Sequence, residues 1–374
     1  MDKERFVTLD GLRGVAALAV LLGHAFKTDS AERVNEVLPF SYLAVDLFFM
    51  LSGFVIAHAY EHKLRDGMGL WTFLRVRFIR LAPLHVLGTA LGLALILYGV
   101  WRGWHDYPIA GLLLSFGLSV FFIPTPPGII PQNTLLFPLN APAWSLFFEM
   151  AANIVFALLA PTLTTARLAS IVALGAIAIA AIPLTGSDAS GGPIYAGIFA
   201  GSARVVFAFF AGALLFRLHR SGATSKLRMP ALPLLIILGA VLLWRPPTWL
   251  VDVYFYASVF VLFPLLIAVG AQSASRGFTS VIADMLGRSS YAVYIVQAPL
   301  LLFFNLIVIK LYGEPLGAFG WPAVLVSSAL VVVIALALDR FYDGPVRAFL
   351  SKFSKRRGLF VVSGGGDGKS QHSP

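Results

Sequence analysis

Ionisable side chains inside long apolar runs are the first candidates for chemistry in this sequence. A charge placed in a lipid interior costs at least about 2.5 to 3.5 kcal/mol, so such residues usually face a polar cavity and serve function. Histidine can move a proton, a carboxylate can orient or charge it, and arginine can hold an anion. Away from the ends of the apolar runs these residues are His24, Asp46, His58, Glu149 and Arg204, and nearer to the ends they are His85 and Arg13.

Four of these residues are predicted to share one half of the molecule, the outer half of a membrane bundle. Glu149 is the strongest signal, because a carboxylate followed by apolar helix has no simple structural explanation. His24 is a candidate proton carrier, and its alternative role is an interfacial histidine whose ring reaches water. Asp46 and Arg204 are candidates for the same site, but they could instead neutralise each other or cap a helix end.

The remaining candidates have stronger structural alternatives. Arg13 lies one turn into an apolar run, which favours function, although Asp10 could cap the helix and form an ion pair with it. His58 and His85 are of a kind that more often packs in a core with its hydrogen bonds satisfied.

A second basic feature precedes the third apolar run. Arg75, Arg77 and Arg80 lie just before it, and Arg77 and Arg80 are three residues apart, so they share one face of a helix. Two guanidinium groups at that spacing can bind phosphate bidentately. The alternative is ordinary positive charge in a cytoplasmic loop. Combined with a His/Glu site on the other side, the pair favours a long phosphorylated donor that threads through the molecule.

The composition fixes the class of protein that positions these residues. Of 374 residues 58% are hydrophobic and 12% are charged, which excludes a soluble globular domain and predicts an all-α, polytopic transmembrane helical bundle. Cysteine is absent, so disulfides, thiol nucleophiles and cysteine metal sites are excluded. The net charge of +10 is explained by basic residues clustered in particular loops rather than by nucleic-acid binding.

The order of apolar runs and basic clusters predicts the topology. Both termini are predicted to be cytoplasmic, and one run must then fail to cross; we choose 109–124, which is short and followed by a proline-rich stretch. Ten crossings remain. The eleven apolar runs are 12–27, 40–60, 82–100, 109–124, 143–162, 168–184, 197–217, 231–245, 253–271, 289–311 and 319–341.

The chain is predicted to hold one membrane domain and a tail. Residues 1–350 form the domain, and the charged start leads into a retained first helix rather than a cleaved signal peptide. Residues 351–374 are basic and then rich in Gly and Ser, which predicts a disordered cytoplasmic tail.

Several short motifs, in this order, resemble the bacterial type 3 membrane acyltransferases. Each motif is unspecific by itself, but the ordered set spans residues 8 to about 300. The motifs are Thr8-Leu9-Asp10-Gly11-Leu12-Arg13-Gly14, Gly23-His24, Phe48-Phe49-Met50-Leu51-Ser52-Gly53-Phe54, Arg77-Phe78-Ile79-Arg80, Trp144-Ser145-Leu146 with Glu149, and Gly287-Arg288-Ser289-Ser290-Tyr291.

The resemblance implies a ten-helix bundle in the bacterial cytoplasmic (inner) membrane. Such proteins take an acyl group, often acetyl, from cytoplasmic acyl-CoA and place it on an extracytoplasmic acceptor, commonly a polysaccharide sugar. By matching position, His24 is the implied catalytic histidine and Glu149 its carboxylate partner. Arg77 and Arg80 are the implied contacts to coenzyme A, and Arg13 and Arg204 lie along the implied donor path. No metal and no nucleic-acid partner are expected.

One departure and three alternatives accompany this resemblance. Relatives usually carry a histidine after the Ser-Tyr motif where this chain has Gln297, which weakens a catalytic role for that helix. A proton-coupled transporter or exporter would also place such residues in a bundle. The spacing of His24 and Asp29 matches the glycerolipid acyltransferases, whose downstream glycine-rich acidic block is missing here. A catalytically inactive scaffold is disfavoured because His24 and Glu149 are both present.

Overall fold

The protein is almost entirely helical in the computed structural model, which describes residues 5–26, 38, 40–186, 191–273 and 277–356. No strand occurs within these ranges, and β-type pairing is limited to one isolated bridge between Leu135 and Ile194. The helices are α1 Val7–Phe26, α2 Ala44–Arg65, α3 Leu70–Trp101, α4 Ile109–Val120, α5 Ala143–Leu159, α6 Thr165–Ala180, α7 Ile198–Arg220, α8 Ala231–Leu243, α9 Val251–Ala257, α10 Phe263–Gln272, α11 Gly277–Tyr312, α12 Gly320–Leu338 and α13 Gly344–Arg356.

Two of these helices continue into the next through a turn of wider π-helix. The π segment Ser258–Leu262 joins α9 to α10, and the π segment Asp339–Asp343 joins α12 to α13. Counting each joined pair once, eight of the described helices are long and apolar enough to cross a membrane. The predicted polytopic helical membrane bundle is therefore confirmed.

Five contacts lie at one end of the bundle and show how the helices alternate in direction. We call this end the basic end, because most arginines of the bundle lie there. These contacts join Arg65 to Ala160, Arg217 to Thr165, Gln272 to His219, Arg5 to Asp284 and Arg80 to Asp343. The start of α1 and the whole of α13 both belong to this end, so the chain makes an even number of crossings between them.

The segment between α3 and α5 adds no net crossing. Helix α3 leaves the basic end and α5 returns to it, so residues 102–142 begin and finish on the same side. Within this segment α4 runs back along α3, and the buried His85 Nε2 lies 2.6 Å from the carbonyl oxygen of Ser119 at its end. The choice of 109–124 as the run that does not cross agrees with this path. Of the ten other predicted runs, eight lie in the described helices that are long enough to cross, and two lie in the shorter helices α6 and α8.

Two helix ends differ from the prediction. Helix α3 begins at Leu70, twelve residues before the apolar run 82–100, because the basic stretch before the run is helical as well. Residues 351–356, predicted to start a disordered tail, belong to α13. The remainder of that predicted tail lies outside the described residues.

Close contact between α2 and α7 depends on two glycines. A Cβ at Gly53 would lie 1.8 Å from the carbonyl oxygen of Phe209, and one at Gly212 would lie 1.9 Å from the carbonyl oxygen of Met50. Small residues let membrane helices approach until their backbones touch, and dispersion contacts then hold them together. This contact fixes α2, which supplies one wall of the cavity described next.

Candidate active site

A cavity of about 210 Å³ lies inside the bundle towards its basic end, enclosed by α1, α2, α3, α5 and α11. Its polar lining combines three guanidinium groups, one carboxylate and several hydroxyls. The lining residues are Arg13, Phe48, Phe49, Ser52, Val55, Ile56, Arg77, Arg80, Leu81, Ser145, Leu146, Glu149, Ser290, Tyr291 and Tyr294. Four of the predicted site residues, Arg13, Arg77, Arg80 and Glu149, are thus brought to one place.

Arg77 and Glu149 form the most enclosed charge pair in this cavity. Their side chains are 13% and 17% exposed, and Nη2 of Arg77 lies 2.7 Å from Oε1 of Glu149. The Ser52 hydroxyl donates to the same carboxylate oxygen at 2.7 Å. Nε of Arg77 is buried and finds no acceptor in the described part of the chain. A buried donor of this kind is rarely left unused, so it is suited to an anionic ligand.

The other two cavity arginines are also anchored. Nη1 of Arg13 lies 3.2 Å from Oδ1 of Asp10, which confirms the predicted ion pair, although Asp10 lies inside α1 rather than capping it. The guanidinium carbon of Arg80 lies 5.7 Å from the centre of the Tyr291 ring. Arg80 is 43% exposed, so it faces both the cavity and the surroundings of the basic end. Arg77 and Arg80 line one cavity, as their spacing predicted.

A hydrogen bond joins two helices on the side of the cavity that lies away from the basic end. The buried hydroxyls of Ser145 and Tyr294 lie 2.8 Å apart and join α5 to α11. Tyr294 follows Tyr291 by one helical turn in the direction of the opposite end. We call this contact the Ser145–Tyr294 roof.

His24 lies well away from this cavity. It follows Arg13 by eleven residues on the same helix, which at 1.5 Å per residue is about 16 Å. Its neighbour Gly23 packs against Ser41, just before α2, whereas Glu149 is bonded to Ser52, eleven residues further along that chain segment. The structure therefore does not bring Glu149, the predicted carboxylate partner, to the ring of His24; it pairs Glu149 with Arg77.

Glu149 lies nearer to the basic end than predicted, and the path of the chain before α5 explains the difference. Glu149 was expected in the outer half because it lies two turns into a helix that was taken to begin at the outer surface. Instead the chain before α5 is buried: a Cβ at Gly92 would lie 1.8 Å from the carbonyl oxygen of Leu139, and Asn140 donates to Ile295 at 3.0 Å. Helix α3 continues nine residues past Gly92, about 14 Å. Two turns of α5 therefore reach the level of Arg77.

Arg204, which the resemblance implied to lie along the donor path, is not among the residues that line the cavity. Its side chain and that of Asp46 are fully buried, with Nε to Oδ1 at 2.9 Å and Nη2 to Oδ2 at 2.7 Å. Arg204 also donates to the carbonyl oxygens of Tyr42 and Gly191 and lies between the rings of Tyr42 and Trp144. The alternative that Asp46 and Arg204 neutralise each other is confirmed, and the pair ties α2 to α7.

The other histidines and Gln297 lie outside the cavity lining. His58 packs edge-on against Phe6 and Phe216, and the ring of His85 stacks on Phe122 at 4.6 Å between centres. These are the packing roles expected of them. Gln297 is fully buried and donates to the carbonyl oxygen of Tyr294 at 3.2 Å. Asp29 lies outside the described residues.

Uncharged members of the site were missed because sequence gave no reason to single them out individually. Ser52, Ser145 and Tyr294 carry no charge, so the cost of burying charge, which singled out Arg13 and Glu149, does not apply to them. Ser52 and Ser145 do lie within the motifs quoted above. Their helical spacing from charged residues, such as four residues from Ser145 to Glu149, is the signal that could have found them.

Comparison with known proteins agrees with this architecture. A family model described as an acyltransferase domain matches residues 6–340. "Acyltransferase MdmB" of Streptomyces mycarofaciens is 26% identical over 364 residues, covering 89% of this chain and 88% of the relative. "Protein 2 in picA locus" of Rhizobium radiobacter is 45% identical over 166 residues, covering 41% of this chain and 82% of the relative. No solved structure matches the chain.

Proposed function

Because the chain belongs to the type 3 acyltransferase family and is a membrane acyltransferase, we propose that its donor is acyl-CoA and that acetyl is the group transferred. The proposed acceptor is a hydroxyl of an extracytoplasmic carbohydrate, such as a surface polysaccharide sugar. Basic residues concentrate at the end of the bundle that holds the cavity, and such residues mark the cytoplasmic side of a membrane protein. The proposed location is the cytoplasmic membrane of a bacterium, with the cavity open to the cytoplasm.

The observation that carries the donor proposal is the arginine-lined cavity. Arg13, Arg77 and Arg80 come from two helices and converge on a space of about 210 Å³. Guanidinium groups bind phosphate in a bidentate fork, and coenzyme A carries its phosphates at the end remote from the thioester. Phosphates held here would leave the pantetheine arm free to extend towards the opposite end of the bundle.

His24 is the proposed catalytic residue at that opposite end. A sugar hydroxyl is a poor nucleophile, and imidazole is the side chain best suited to accept its proton near neutral pH. As His24 takes the proton, the hydroxyl oxygen attacks the thioester carbonyl carbon. The carbon–sulfur bond then breaks, and the imidazolium returns the proton to the departing thiolate. A covalent acyl-histidine, formed before the acceptor binds, is the second route open to the same residue.

Glu149 has a binding role in this proposal. Glu149, on α5, is bonded to Arg77 and Ser52 and lines the same cavity as Arg13, whereas His24 lies eleven residues beyond Arg13 on α1. Glu149 therefore holds the guanidinium of Arg77 rather than the ring of His24. Arg204 is given no part in donor binding, since its guanidinium is committed to Asp46 and to backbone carbonyl groups.

The test measures binding and consumption of acetyl-CoA by purified protein in lipid nanodiscs. Arg77→Ala and Arg80→Ala should weaken binding at least tenfold, whereas Arg75→Ala, an equal loss of charge outside the cavity lining, should not. His24→Ala should lower kcat at least about a hundredfold and leave binding intact. If wild-type protein neither binds nor consumes acetyl-CoA, the donor proposal fails and a proton-coupled transporter becomes the leading alternative.

A further inference from the structure

Asp343 is a buried carboxylate outside the residues that the family model matches. It ends the π segment Asp339–Asp343 between α12 and α13, and its side chain is fully buried. Nη2 of Arg347 lies 2.8 Å from Oδ2 of Asp343, and Nη1 of Arg80 lies 3.8 Å from the same oxygen. The carboxylate thus lies between a cavity arginine and a second arginine on the following helix.

The wide turn places Asp343 against α3. A π turn adds a residue to the helical repeat and changes the direction of the side chains that follow it, and such turns are common at functional sites. Both the π segment and α13 pack on α3, which carries Arg80. A buried carboxylate is strongly unfavourable unless cations compensate it, and here Arg347 and Arg80 do so.

The three cavity arginines share one design. Each lies beside a carboxylate: Arg13 is 3.2 Å from Asp10 and Arg77 is 2.7 Å from Glu149, whereas Arg80 is 3.8 Å from Asp343, which is an ion pair without a hydrogen bond. The side chain of Arg80 has both the longest separation and the greatest exposure, 43% against 26% for Arg13 and 13% for Arg77. A guanidinium has five N–H donors, so one loosely held at a single edge keeps the others for a ligand.

We propose that Asp343 is a positioning residue for Arg80, fixing its guanidinium against the Tyr291 ring so that the remaining N–H groups face a phosphate of the donor. The proposal rests on the proposed function, because it takes the donor to be acyl-CoA. Asp343 touches neither the thioester nor the acceptor in this arrangement, so its influence is on donor binding alone.

The experiment compares Asp343→Asn with wild type in full-length protein reconstituted in nanodiscs, using acetyl-CoA and acetyl-pantetheine as donors. Acetyl-pantetheine carries the same thioester without the coenzyme A phosphates. The KM for acetyl-CoA should rise roughly tenfold with kcat little changed, while the KM for acetyl-pantetheine stays as in wild type. Asp339→Asn is the matched control, since it removes a carboxylate of the same π segment that lies 3.8 Å from Arg347 and, among the described residues, forms no ion pair with Arg80.

Two further variants guard against a purely structural effect. Asp343→Glu keeps the charge but moves the carboxylate by one methylene, and it should raise the KM for acetyl-CoA alone even if Asp343→Asn does not fold. In an Arg80→Ala background, Asp343→Asn should have no additional effect, because the residue it positions is gone.

Three results would overturn the proposal. They are an equal loss with both donors, an undiminished effect in the Arg80→Ala background, and a fall in the KM for acetyl-CoA, which would make Asp343 a competitor of the phosphate. If wild-type protein does not consume acetyl-CoA, the proposed function and this inference fail together. If wild type is active and both Asp343 variants match it, only this inference fails.

Discussion

Arg77 and Glu149 face each other across the cavity, with Nη2 of the arginine 2.7 Å from Oε1 of the glutamate. The pair joins α3 to α5, and Ser52 on α2 adds a third helix through its bond to the same oxygen. A guanidinium held this way loses little further side-chain freedom when an anion binds, because its position is already fixed. The glutamate is therefore best understood as part of an anion-binding site built from an arginine.

Replacing this glutamate tests that interpretation. Glu149→Ala should raise the KM for acetyl-CoA about tenfold to a hundredfold, the range expected when a hydrogen bond to a charged group is lost. The value of kcat should change much less. Steady-state kinetics of purified protein checks both. A large fall in kcat at unchanged KM would instead support the predicted role of Glu149 as the catalytic partner of His24.

His24 should show the reverse pattern. His24→Ala should lower kcat by about 10² to 10⁴, the usual contribution of a positioned base, while the dissociation constant of acetyl-CoA stays the same. Calorimetric titration with acetyl-CoA measures the second quantity independently of turnover. Residual activity near the wild-type level would mean that another group serves as the base.

The Asp46–Arg204 pair should affect stability rather than catalysis. Asp46→Asn should destabilise the protein by about 3 to 5 kcal/mol, because it leaves a fully buried guanidinium without its compensating charge. Replacing both residues by Leu should recover much of that loss. Denaturant unfolding in detergent micelles measures the difference. Binding of acetyl-CoA by the folded fraction should be unchanged. Weaker binding would support the predicted place of Arg204 along the donor path.

The glycine contact between α2 and α7 gives a prediction with an internal control. Gly53→Ala should destabilise the bundle by about 1 to 3 kcal/mol, because its Cβ would overlap the backbone of Phe209. Gly117→Ala, in α4, has no heavy atom within 4 Å of its Cβ and should be neutral or slightly stabilising. Thermal unfolding of the two variants, compared with wild type, measures both effects. Equal effects would mean that helix propensity and not packing controls the result.

The helices were largely predictable because the bilayer itself sets their length. The run 197–217 corresponds to α7, Ile198–Arg220, and the run 143–162 begins with α5, Ala143–Leu159. Prediction failed where helix and apolar run differ in extent. Backbone hydrogen bonding continues through charged residues, so α3 begins at Leu70 although its apolar run begins twelve residues later.

The charged residues of the candidate site could be predicted from the sequence, but the level of Glu149 within the bundle could not. The high cost of burying charge pointed to Arg13 and Glu149, the three-residue spacing pointed to Arg77 and Arg80, and the cavity contains all four. The level of Glu149 depends on how residues 102–142 fold back into the bundle, which is a matter of tertiary packing with no local signal. Asp343 lay near the end of the last apolar run among basic residues, where an ion pair at the surface is the simplest expectation.

The Ser145–Tyr294 roof bears on the permeability of the cell envelope. A passage that lets a pantetheine arm reach across a bilayer must be wide enough for that arm, and such a passage also admits water and protons. An enzyme that kept such a passage open between turnovers would dissipate the proton-motive force. In the proposed function, two buried hydroxyls joined at 2.8 Å and the fully buried Asp46–Arg204 pair stand between the cavity and the opposite end of the bundle, where they oppose such a leak.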